Sequence, residues 1–122
     1  MPRPIPTTPS RKATTPVFVT RVSATDHGPP ASTRRPDVLA TEEPLQIMIG
    51  GPGQESTPAT VTMRTPGHDF ELAVGFCFAE GLMRPGSVRS VRYCEVPRDQ
   101  PQLYNVVSVR VDHAVTDRKS VV

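Results

Sequence analysis

The string TVTMRTPGHDFELAVGFCFAEG, residues 60–81, decides the fold, because it holds a strand, a sharp turn and a complete helix. Val61 and Met63 alternate with Thr60, Thr62 and Arg64, the period of two that marks a strand. Pro66 and Gly67 end it, since proline lacks a backbone donor and holds its predecessor in extended geometry. Beyond the turn, Leu72, Phe76, Ala79 and Met83 recur at spacings of four, three and four, which predicts a helix that buries this face. Asp69 is expected at the N-cap, where a carboxylate accepts bonds from free N–H groups and complements the helix dipole, as does Glu71 in the first turn. Gly81 suits the left-handed C-terminal cap, and Pro85 prevents continuation. Gly75 costs about 1 kcal/mol relative to Ala inside a helix, and is read as a sign of close packing on a sheet.

Working outward, residues 45–49 place Leu45, Ile47 and Ile49 on one face and Gln46 and Met48 on the other, before a turn at residues 50–53. Residues 37–41 read as a brief strand and 59–65 as the partner of 45–49 in a hairpin. Two further strands are expected over 88–94 and 104–111, the latter with Leu103, Asn105, Val107, Val109 and Val111 in alternation. The order β-β-β-α-β-β predicts an α+β fold: a mainly antiparallel sheet with one amphipathic helix packed on it, a small roll.

The 122 residues have room for one domain, and 15 of them are proline. Eight prolines (Pro2, Pro4, Pro6, Pro9, Pro16, Pro29, Pro30 and Pro36) fall within residues 1–36. This segment reads as a mostly unstructured leader with one short strand over 17–22; residues 37–111 form the α+β domain, and 112–122 a polar tail without an apolar docking face. Arg3, Arg11, Lys12, Arg21, Arg34 and Arg35 oppose only Asp26 in the leader, so within a chain of net charge +2 the body is negative. A nucleic-acid-binding body, which needs a clustered basic face, is therefore not expected. No apolar run approaches the ~18 residues of a membrane-spanning helix and no apolar signal segment opens the chain, so a cytoplasmic protein is expected. Cys77 and Cys94 are too few for a disulfide framework and are read as free, at least partly buried thiols. His27 and His113 have no cysteine or second histidine at ligand spacing, so no metal site is expected.

Arg64, Thr65, His68 and Asp69 form the one convergent polar cluster, at a strand-to-helix junction where outward N–H groups favour anions. On one reading they contact a ligand. On the other they are structural, with Asp69 capping the helix, Arg64 paired to Glu71 or Glu43, and His68 filling the turn.

The strings EEPLQI (42–47), TMRTPGHD (62–69), ELAVGF (71–76) and AEGL (79–82) resemble the N-terminal part of the formate dehydrogenase accessory sulfurtransferase family, over about residues 17–111. The resemblance implies a cytoplasmic protein that takes sulfur from a cysteine desulfurase. It would pass the sulfur to the molybdenum bis-guanine-dinucleotide cofactor of formate dehydrogenase. It also implies that the sulfur rides on a Cys-x-x-Cys pair opening a larger, cytidine-deaminase-like C-terminal domain, where most cofactor-binding residues lie. Arg64, Thr65, His68 and Asp69 are the positions here that it marks as cofactor-binding candidates. No Cys-x-x-Cys pair is present, so no catalytic residue is assigned, and whether the chain is an enzyme stays open. Three functions follow: a truncated sulfur carrier inactive alone; a non-catalytic module binding the cofactor, the dehydrogenase or a separately encoded C-terminal half; or a non-functional frameshift or premature-stop product.

Overall fold

The computed structural model describes residues 12–116, so the readings of residues 1–11 and 117–122 lie outside it. The elements run β1 (Thr14–Ser23), β2 (Ala31–Ala40), β3 (Glu43–Gly50), β4 (Thr57–Arg64), α1 (Asp69–Ala79), β5 (Val88–Tyr93) and β6 (Val106–Val111). β1 and β2 form a two-stranded antiparallel ribbon; the other strands form one sheet in the order β4-β3-β6-β5. The architecture is α+β and mainly sheet. The larger sheet is mixed, because β3 and β6 run parallel at its centre, while β3–β4 and β5–β6 are antiparallel pairs. Parallel neighbours need a crossover, and here β4, α1 and β5 together supply it.

The core lies between α1 and one face of this sheet. Leu45, Ile47 and Ile49 of β3, Val107, Val109 and Val111 of β6, and Val91 of β5 are buried against Phe70, Ala73 and Cys77 of the helix and against Met83. The alternations read in β3 and β6 hold, and the two central strands contribute the inward rows. In β4, Thr60 and Thr62 stand opposite Ile47 and Leu45, so Val61 and Met63 fall on the face away from the helix. Leu103, placed in the β6 alternation by sequence, precedes the strand and is exposed.

Three readings of the helix need correction. The buried row is Asp69, Phe70, Ala73 and Cys77, and Leu72 and Ala79 of the predicted face point outward. Helix N-terminal geometry places His68, not Asp69, at the N-cap; Asp69 is the first helical residue and turns its carboxylate inward. Gly75 meets no atom within 4 Å of where a Cβ would stand, so it does not mediate close packing; the small side chains of Ala73 and Cys77 do. The C-terminal reading holds: Gly81 has φ +71°. Leu82 N–H donates to Cys77 O at 2.9 Å and Gly81 N–H to Phe78 O at 3.1 Å, the paired bonds of a Schellman motif.

The leader reading also changes. The strand expected over 17–22 lies within the longer β1, but the other described leader residues, expected to be unstructured, extend it and form most of β2, and the expected boundary after residue 36 falls inside β2. The ladder phase explains how Pro16 and Pro36 are accommodated. Thr41 N–H donates to Ala13 O at 2.9 Å, and pairs along an antiparallel ribbon alternate between bonded and non-bonded. Pro16↔Val38 and Phe18↔Pro36 then fall on non-bonded pairs, where a missing N–H points away from the partner strand. Val38 N–H, outward at the same phase, is taken by Asp37 Oδ1 at 2.7 Å.

Candidate functional site

The end of β4, the start of α1 and the end of β5 meet at one buried ion pair. Arg64 Nε donates to Asp69 Oδ1 at 2.9 Å and Nη2 to Asp69 Oδ2 at 3.0 Å, a bidentate fork. The two side chains are 3% and 1% exposed, so both charges are withdrawn from water and each depends on the other. The remaining Arg64 donors reach the carbonyls of Glu43 and Pro44, both at 3.3 Å, and of Tyr104 at 2.9 Å. Glu43 Oε2 approaches Nη1 at 3.5 Å from a more exposed position, a weaker contact than the fork. The Asp69 hydrogen bond, acting against burial, holds the Arg64 guanidinium above its usual pKa, so it stays charged.

Tyr93 completes the network, its hydroxyl donating to Asp69 Oδ2 at 2.6 Å. Its ring packs on Phe70 at 5.0 Å between centroids and edge-on against Tyr104 at 5.2 Å. Tyr104 has φ +52°, rare for a residue with a side chain. Its N–H donates to Gln102 Oε1 at 3.0 Å and its carbonyl accepts from Arg64, so bonds on both sides of the residue hold that conformation.

The structure therefore divides the four sequence candidates. Arg64 and Asp69 come together inside the protein, with every Arg64 nitrogen committed to protein acceptors. Thr65 is exposed, and His68 is 90% exposed with Nδ1 at 3.9 Å from Glu71 Oε2. The pairing of Arg64 to Glu43, raised from sequence, is present, but the dominant partner is Asp69. Sequence reading missed Tyr93 and Tyr104; both tyrosines of the chain join one network, yet neither lies at a spacing that announces it.

The cysteines are free, Cys77 buried and Cys94 half-buried. Burial raises the Cys77 thiol to about 11; burial also raises Cys94, against a smaller lowering by Arg92. Among the described residues no group of three or more His, Cys, Asp or Glu could hold a metal ion, and no helix is long and apolar enough to cross a membrane.

Comparison with known proteins gives 49% identity over 80 residues, 63% of this chain, to the sulfur carrier protein FdhD of Corynebacterium efficiens. The chain is homologous to part of FdhD. The FdhD of Mycobacterium tuberculosis is 48% identical over 80 residues, 62% of this chain, and that of Nocardia farcinica 42% identical over 92 residues, 74% of this chain. The match takes up 27%, 27% and 31% of the three FdhD relatives, so the chain spans less than a third of their length. No family model and no solved structure matches.

Proposed function

We propose that this chain serves sulfur transfer toward formate dehydrogenase in the cytoplasm as a non-catalytic part of an FdhD-type sulfur carrier. The similarity to proteins named sulfur carrier protein FdhD carries the reading. In it, a cysteine desulfurase supplies the sulfur and the molybdenum bis-guanine-dinucleotide cofactor of the dehydrogenase receives it. The chemistry of the cysteines supports the non-catalytic assignment. A persulfide carrier needs an accessible thiol of lowered pKa, whereas burial moves Cys77 and Cys94 the other way.

What the chain contributes in this role is a fixed surface turn. The Arg64–Asp69 fork clamps both ends of residues 65–68, so that Thr65 and His68 stand outside at the start of α1. There they can meet the cofactor's phosphates or the sulfur-bearing segment of another polypeptide, while Arg64 and Asp69 act from within as positioning residues.

The test is formate dehydrogenase activity in cells lacking FdhD, supplied with this chain alone or together with a polypeptide covering the rest of a relative. We expect no activity from the chain alone, restoration by the pair, and a reduced restoration when Thr65 and His68 are both replaced by Ala. Restoration by the chain alone would overturn the non-catalytic assignment. Failure of the pair would overturn the role in sulfur transfer.

A further inference from the structure

The helix covers one face of the four-stranded sheet; the other carries Gln46 and Met48 of β3 beside Val106, Ser108 and Arg110 of β6. On that open face the turn after β3 and the end of β5 enclose a cavity of about 560 Å³. Its polar lining is a connected set. Ser56 and Ser108 hydroxyls are 3.0 Å apart, and Arg110 Nη1 donates to Ser56 Oγ at 3.1 Å and to Gln54 O at 2.8 Å. Arg110 Nη2 donates to Gly51 O. The glycine at position 50 makes this possible, because a Cβ there would collide with Arg110 Nη1.

The Arg110 guanidinium thus lies among neutral acceptors, and among the described residues it has no carboxylate against it and two of its five N–H groups unused. Arg92 lines the same cavity without a hydrogen-bond or carboxylate partner among the described residues, and Glu95 is the cavity's one acid. Two guanidinium groups against one carboxylate, converging with two hydroxyls in a partly enclosed space, make a site of positive potential that favours an anion. Met48 and Cys94 supply an apolar wall, and the volume falls in the range of small-molecule sites, roughly 300–1,000 Å³.

We propose that this cavity binds a small organic anion, its phosphate or carboxylate oxygens held by Arg92 and the Ser56–Ser108–Arg110 floor and its body lying against Met48 and Cys94. The site is separate from the Arg64–Asp69 clamp and does not depend on the sulfur-transfer reading.

The test is an NMR titration of the 122-residue chain with inorganic phosphate and, separately, acetate, against chloride at matched ionic strength, with Cys94 alkylation by iodoacetamide as a second readout. The expected result is saturable shifts at the amides of Arg92, Cys94 and Ser108 with at least one oxyanion, and slower Cys94 alkylation in its presence. Arg92→Gln, an exposed change, is expected to weaken binding about tenfold, with Arg92→Lys intermediate because it keeps the charge but loses the fork. Saturation by phosphate alone identifies a phosphoryl ligand, and by acetate alone a carboxylate. Shifts that do not saturate, that chloride reproduces, or that Arg92→Gln leaves unchanged would overturn the proposal.

Discussion

The β1–β2 ribbon, antiparallel throughout, and the helix-backed sheet, mixed with a parallel pair at its centre, are both hydrogen-bonded ladders, yet they are held by different forces. Between the sheet and the helix, eleven apolar side chains of the described residues form one buried cluster. In the ribbon, ten consecutive pairs are in register while Phe18, Val22, Val38 and Leu39 are between 52% and 66% exposed. Its visible side-chain support is Arg34 over the Phe18 ring at 4.7 Å and a Thr15–Thr41 hydroxyl bond at 2.6 Å. A lone hairpin is marginal in water. The contrast shows that regular backbone pairing and stability are separate matters: one region is fixed by what it buries, the other mainly by its ladder, with only exposed side-chain contacts added.

The comparison can be broken at its strongest point first. Arg64→Met leaves Asp69 charged and buried without its fork, and we expect a loss of roughly 3–5 kcal/mol in urea unfolding. A loss under about 1 kcal/mol would mean that the clamp does not organise the sheet. Ile47→Ala in the core is expected to cost roughly 2–5 kcal/mol, against no more than about 0.5 kcal/mol for the exposed Val22→Ala in the ribbon. Equal costs would erase the distinction. Raising the pH provides a third contrast, because burial lifts the Cys77 thiol from 9.0 to about 11. The folded state then retains a proton that the unfolded chain releases, so its stability is intact below pH 9 and falls between pH 9 and about 11, by roughly 2–3 kcal/mol. Cys77→Ala is expected to flatten that part of the profile. The smallest effect is local: ribbon amides should exchange with solvent through low-cost opening, while those of β3 and β6 exchange only with global unfolding.

Strand, turn and helix were all legible in residues 60–81, but the rotation of the helix was not. Leu72, Val74, Phe76 and Phe78 surround it with apolar side chains, so a periodicity argument has more than one solution. The choice is made at the first residue, where Arg64 and Tyr93 hold Asp69 inward. Ala73 and Cys77, four and eight residues on, follow onto the same side. Tyr93 and Tyr104 were invisible because their partners lie 24 and 40 residues away. The ribbon was read only in part, as short strands over 17–22 and 37–41, for a different reason: proline density argues against strands only where the N–H must serve a ladder, and in two edge strands at the right phase it need not.

The central claim is that this chain supports sulfur transfer without carrying the sulfur. It is tested most directly by incubating the purified 122-residue protein with a cysteine desulfurase and cysteine, then measuring its intact mass without reductant. The account expects the mass to be unchanged. An increase by one sulfur atom, located at Cys77 or Cys94, would contradict it.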